Sequence, residues 1–168
     1  MTASASVRLT AVLRAASADL LAYLQRRVGV DDAPDLLGET MTVAWRRVGE
    51  LPDDDERARM WLFGIARNTL LNHRRGERRR WALADRLRSH PSRPASGPPA
   101  DEGAEVRDAI DRLDPDLAEL VRLVHWERMT LAQAAELLGV PDSTARTRYA
   151  RAKEQLREAL DVAPATHV

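Results

Sequence analysis

A chain of 168 residues and 18.8 kDa, with 26 basic and 26 acidic side chains and a net charge of zero, is long enough for one ordinary domain or two small ones with a buried core. Its 44% apolar and 31% charged residues exclude a disordered chain, and the absence of cysteine excludes disulfides, thiolate catalysis, zinc fingers and iron–sulfur clusters. No apolar run approaches the ~20 residues of a membrane helix and no basic-then-apolar signal opens the chain, so no membrane insertion is expected and the expected compartment is the cytoplasm.

The predicted elements are all helical. Leu9, Leu13, Ala16, Leu20, Leu24 and Val28 recur at spacings of three and four, which predicts a helix over 6–28. A turn at Gly29–Asp32 follows, and Pro34 then sits in a first helical turn behind Asp31 or Asp32 as cap. The second helix places Leu36, Leu37, Thr40, Met41, Ala44, Trp45 and Val48 on one side. Glu50–Asp55, with a proline and three consecutive aspartates, reads as a loop. A third helix carries Trp61, Leu62, Ile65, Ala66, Thr69 and Leu70 and runs on through Arg74–Arg80. Residues 89–103 hold four of the nine prolines, two glycines and no large apolar side chain, the composition of a flexible tether.

Four helical segments are predicted beyond the tether: 104–113; 115–127, entered through Asp114 and Pro115; 130–138, from Thr130 to Gly139; and 143–160, after Pro141 and Asp142. A short helix with Ala134 and Ala135 at its centre, a turn through Gly139 and a longer basic helix form the helix-turn-helix pattern, which an ordinary helical hairpin can mimic. On the last helix Ala145, Tyr149, Ala152, Leu156 and Leu160 make the buried stripe. Arg146, Thr147, Ala150, Arg151 and Lys153 face the other way, where arginine can bond guanine and lysine can meet phosphate. The expected fold class is all-α: two small helical domains, 1–88 and 104–168, joined by a flexible linker.

The neutral total conceals opposed blocks. Residues 31–56 hold nine acids (Asp31, Asp32, Asp35, Glu39, Glu50, Asp53, Asp54, Asp55, Glu56) and two bases, net −7; residues 59–80 hold seven arginines and Glu77, net +6; Ser143–Lys153 holds four bases and no acid, net +4. Any one block could be a solvated helix face, but two basic blocks on separate helical domains fit an electrostatic footprint for nucleic acid. The bases are 25 arginines and one lysine beside 27 alanines, a bias that reflects a GC-rich coding sequence rather than arginine chemistry.

Two stretches resemble bacterial RNA polymerase sigma factors of the extracytoplasmic-function (ECF) group. Asp32-Ala-Pro-Asp-Leu-Leu-Gly-Glu-Thr-Met41, Ala44-Trp45, Trp61-Leu-Phe-Gly-Ile-Ala-Arg-Asn68 and Asn72-His-Arg-Arg75 resemble that group's region 2. Leu113-Asp-Pro-Asp-Leu-Ala-Glu-Leu120 through Arg151-Ala-Lys153 resembles its region 4. The resemblance implies a protein that binds core RNA polymerase, directs it to promoter DNA, melts the duplex and answers to an anti-sigma factor. It assigns Asp35, Leu36 and Glu39 to the clamp helices of the polymerase's largest subunit. Asn68 falls at the position that contacts an extruded −10 base, with Arg67, His73, Arg74, Arg75, Arg78, Arg79 and Arg80 on the phosphates and Leu51–Arg57 as the base-pocket loop. At the −35 element it assigns Ser143, Thr144, Arg146, Thr147, Arg148, Arg151 and Lys153.

This chain departs from the family pattern at Gly38 (usually glutamine), Met41 and Ala58 (usually aromatic), Gln133-Ala-Ala135 (usually Glu-Ile-Ala) and Ala150 (usually larger). The acidic loop is also unusual beside DNA. These departures bear on promoter sequence, melting and docking. A stand-alone helix-turn-helix repressor or activator, and an interaction module presenting Arg59–Arg80 to an acidic partner, are the alternative classes. Trp45, Trp61 and Trp126 are expected in the core rather than as base-stacking platforms. No cofactor, metal site or enzymatic centre is expected: His73, His90, His125 and His167 lack ligand spacing, and no nucleophile–base pair or phosphate-cradling glycine loop occurs.

Overall fold

A computed structural model describes residues 2–87 and 103–161, and its contacts divide the chain into two compact units, Met1–Pro94 and Ala95–Val168. The expected tether over 89–103 lies outside the described residues, apart from Gly103. In chain order the helices are α1 (Thr2–Val28), α2 (Ala33–Arg46), α3 (Asp55–Leu87), α4 (Ala104–Asp111), α5 (Pro115–His125), α6 (Leu131–Leu138) and α7 (Asp142–Asp161), with a 3-10 turn at Val48–Glu50 and no strand among the described residues.

In the first unit α1, α2 and α3 pack on one another. Leu9, Leu13, Leu20, Tyr23 and Leu24 of α1 meet Ala33, Leu36 and Ala44 of α2 and Leu62, Phe63, Ile65, Ala66 and Leu70 of α3, all buried. Tyr23 and Phe63 pack edge to face at 5.4 Å, the geometry that sets a positive ring edge on a negative face. Thr40 is fully buried, and its hydroxyl donates to the Leu36 carbonyl at 2.7 Å, so that hydroxyl is satisfied. Ala58 is also fully buried. Arg47 and Glu50 close the 3-10 turn through two hydrogen bonds, of 3.0 and 2.5 Å, which hold the Glu50 carboxyl below its usual range.

The acidic loop has a local structural use. Asp54 caps α3 by accepting from the Arg57 amide at 2.9 Å, and Asp55 and Glu56 lie in the helix's first turn, against its positive end. Arg8 of α1 donates to the carbonyls of Pro52 and of Asp53 (2.6 Å) and pairs with Asp55 at 3.1 Å, pinning the loop from 44 to 47 residues away. Arg8→Ala should lower the first unit's stability by about 1–2 kcal/mol. Hydrogen exchange at the 51–57 amides should speed up with it; unchanged exchange there would show that the loop holds itself.

Gly38 lies on the exposed side of α2, and a Cβ there would meet nothing within 4 Å. Gly38→Ala should therefore stabilise the unit by about 1 kcal/mol, raising its Tm by roughly 4–8 °C in a calorimetric scan.

In the second unit α4, α5 and α6 all pack on α7. Ile110, Leu117, Ala118, Val121 and Ala152 form the core, with Leu113, Tyr149 and Leu156 packed against it. Thr130 and Gln133 form a reciprocal capping box at the start of α6. Gly139 ends α6 in the left-handed region at φ 68, and its amide and that of Val140 bond back to Glu136 and Ala135, a Schellman closure. Ala134, Ala135, Ala145 and Ala152 are fully buried, which allows the close approach of α6 and α7. The buried stripe of α7 ends one turn early, because Leu160 is 37% exposed.

Candidate nucleic-acid interface

Helix α3 has two faces. At ~100° per residue, Arg75 and Arg79 each fall within roughly 20° of Asn68, on the side opposite Leu62, Ala66 and Leu70, while Arg67, Arg74 and Arg78 form a parallel line beside them. Asn68, Arg74, Arg75, Arg78 and Arg79 are exposed and Arg67 is half-buried. Among the described residues none of these five arginines has a carboxylate partner; the Arg75 Nε donates to the Leu71 carbonyl at 3.4 Å. The result is a cationic strip with an amide near its N-terminal end.

Two residues expected with that strip are turned away from it. His73 is half-buried on the core side, with its Nε2 4.0 Å from Asp32 and 3.7 Å from Glu77. Arg80 lies roughly 120° around the axis from Asn68 and faces Glu77 at 3.9 Å. Both would have to leave carboxylates to reach a strand docked along Asn68, Arg75 and Arg79.

On α2, Asp35 and Glu39 are exposed and have no ion partner among the described residues, whereas Leu36 is 3% exposed. Leu36, expected at the docking face, is thus a core residue: it lies on the side of α2 shared with Ala33, Thr40 and Ala44. Trp45, expected in the core, is instead 42% exposed, and Trp126 is 38% exposed at the end of α5. Seven residues beyond Gly38, Trp45 lies on the same exposed face of α2.

On α7, Ser143, Arg146, Thr147, Arg151 and Lys153 are exposed, and Thr144 and Arg148 are half-buried. The Thr147 hydroxyl donates to the Ser143 carbonyl at 3.0 Å, and the Lys153 ammonium lies 5.2 Å from the Tyr149 ring centroid. Arg148 pairs with Asp116 at 3.1 Å and Arg151 faces Asp114 at 3.7 Å, while Arg146 and Lys153 have no carboxylate partner among the described residues. Asp114 and Asp116 were missed from sequence, because nothing local links the start of α5 to a helix some 30 residues on.

A model of sigma-70 region 2 matches residues 13–80, and one of sigma-70 region 4 matches residues 103–156. The ECF RNA polymerase sigma factor SigC of Mycobacterium tuberculosis is 31% identical over 154 residues, covering 88% of this chain and 80% of that protein. SigL of the same species is 28% identical over 147 residues, covering 84% and 82%. Among solved structures, the sigma factor RpoE in complex with the anti-sigma factor NepR from Bartonella quintana matches with a TM-score of 0.67 and 26% identity, over 94% of this chain and 97% of that one. CnrH, solved with the cytosolic domain of CnrY, shares the fold at a TM-score of 0.64 and 24% identity, over 92% and 88%. No described helix is long and apolar enough to cross a membrane. With a region 2 match on the three-helix unit, a region 4 match on the helix-turn-helix unit and an ECF sigma factor 31% identical across both, the chain belongs to the ECF group of RNA polymerase sigma factors.

Proposed function

We propose that the chain binds core RNA polymerase in the cytoplasm and directs promoter-specific initiation through two contacts, with region 2 spanning 1–88 and region 4 spanning 104–168 on either side of the 89–103 tether. The observation that carries this is the joint occurrence of both sigma regions with, on one of them, the cationic strip of α3, whose arginines have no carboxylate partner among the described residues. Asn68 reads an extruded −10 base by its amide, which can match a Watson–Crick edge once the base leaves the stack. Arg67, Arg74, Arg75, Arg78 and Arg79 neutralise phosphates of that strand, and the loop 51–57 borders the base. On α7, Arg146, Thr147, Arg148, Arg151 and Lys153 meet the −35 major groove, and Ser143 and Thr144 meet phosphate at the helix start.

The polymerase docks on the exposed face of α2. Asp35 and Glu39 supply unpaired charge for a basic surface, Trp45 supplies an aromatic anchor, and Leu36 holds the helix from beneath. Bond formation belongs to the polymerase, so the chain contributes recognition rather than catalysis. The solved complex of RpoE with NepR supports an anti-sigma protein as a further partner that would compete for these surfaces.

Run-off transcription with purified core polymerase on a library of promoter fragments tests the proposal. Discrete products that require this chain are expected; their absence across the library would overturn it. A stand-alone repressor would instead bind duplex DNA without polymerase at physiological salt.

A further inference from the structure

The basic surfaces of the two units are held differently. Among the described residues the arginines of the α3 strip have no carboxylate partner, but two of the four bases between Ser143 and Lys153 are held by acids at the start of α5. Asp116 Oδ2 meets Arg148 Nη1 at 3.1 Å and Asp114 Oδ2 meets Arg151 Nη2 at 3.7 Å, across a cleft of about 410 Å³ between Asp114–Leu117 and Thr147. Asp114 occupies the N-cap position of α5 with extended backbone, yet its carboxylate makes no cap hydrogen bond. Capping, the common use of aspartate at that position, is absent here, and the carboxylate faces the outward side of α7 instead.

We infer that Asp114 and Asp116 act as an internal competitor for DNA, holding Arg151 and Arg148 so that α7 binds duplex weakly until polymerase presents the promoter; this rests on the reading of α7 as the −35 helix. The physical argument is one of displacement. A phosphate or guanine that takes either arginine must replace a carboxylate already in place, so less attraction is gained than from an unpaired arginine. Both carboxylates also stay within one Debye length (~8 Å at physiological salt) of the docked backbone and repel it. An exposed pair of this kind is weak in itself, which suits a competitor that polymerase-bound promoter must overcome. Tethering to polymerase supplies the compensating effective concentration. The outcome is discrimination: contacts that DNA of any sequence could make are blunted, and productive binding depends on the whole assembly.

The test is fluorescence anisotropy of the full chain on a mixed-sequence 30-bp duplex between low and physiological salt, comparing wild type, D116N, the D114N/D116N double variant and an R148Q/R151Q double variant. Asparagine keeps the size and capping capacity of aspartate, and D116N leaves the cap position untouched. The D114N/D116N chain should bind roughly 3–30-fold tighter at 50 mM salt, with a log–log salt slope steeper by up to about 1.8 as two arginines become free to release counterions. D116N should give an intermediate gain. Equal or weaker binding by D114N/D116N, including no binding by either chain, overturns the inference. If R148Q/R151Q loses binding while D114N/D116N gains none, the α7 reading stands and the competitor fails. If all four chains bind alike, the −35 role of α7 fails as well.

Discussion

Replacing Leu120 with alanine is expected to unfold the second unit while the first stays folded. Leu120 is fully buried in α5, the helix that packs on both α6 and α7. Truncating a buried leucine costs about 2–5 kcal/mol, from lost transfer energy plus the cavity left behind. A unit of about 60 residues has a total stability of only ~3–9 kcal/mol at 0.05–0.15 kcal/mol per residue. Its surroundings cannot close the gap cheaply: the fully buried side chains near the helix-turn-helix include four alanines, which have no length to extend into a void. Hydrogen exchange on the full chain separates the units. Protection in α4–α7 should fall by two or more orders of magnitude, while α1–α3 keep theirs. Protection in α5–α7 within a factor of five of wild type would show that Leu120 is not the element that joins these helices. In run-off transcription the same variant should lose −35-dependent product at least tenfold while retaining core polymerase, since α2, the helix proposed to dock, belongs to the other unit.

What could be read from the residues in advance divides along a physical line. Periodicity places helices well, so α1, α2 and the α6–turn–α7 unit were legible from their apolar spacing, from Pro34 and Pro115 in first turns and from Gly139 as the helix end. Rotational phase is harder to read. The expected core face of α3 included Trp61 and omitted Phe63, yet Phe63 is fully buried against Tyr23, and Trp61 is half-buried on the Asn68 side. The two aromatics are two positions, or roughly 200°, apart, and the bearing of Leu62, Ile65, Ala66 and Leu70 favours Phe63. Hydrophobicity also misplaced Trp45 and Trp126, because composition marks a large apolar side chain as core while its bearing on the helix decides its exposure. The resemblance supplied candidate residues but not which were already engaged. That Arg8 holds the 51–55 loop, or that Asp114 and Asp116 hold two arginines of α7, depends on contacts across tens of residues that no local pattern encodes.

The arginine run of α3 shows how much the missing phase matters, because sequence treats Arg74–Arg80 as one block and the helix divides it. R75Q/R79Q should destabilise the open promoter complex of the holoenzyme roughly 25-fold at 0.1 M salt and lower its log–log salt slope by about 1.4, the values for two lost phosphate contacts on a single strand. R80Q should change either quantity by less than twofold. The difference follows from geometry rather than charge count. Arg75 and Arg79 share a line with Asn68, are exposed and have no carboxylate partner among the described residues, so a strand docked on the amide passes both guanidiniums. Arg80 points roughly 120° away and faces Glu77. Glutamine preserves helix propensity and most of the aliphatic stem, so the comparison reads charge at a defined bearing. The lifetime of heparin-challenged complexes, followed across salt concentrations, gives both numbers in one experiment. An R80Q loss equal to that of R75Q/R79Q would mean that the strand follows net charge, not the Asn68 line, and the proposed −10 interface would have to be redrawn on the other side of α3.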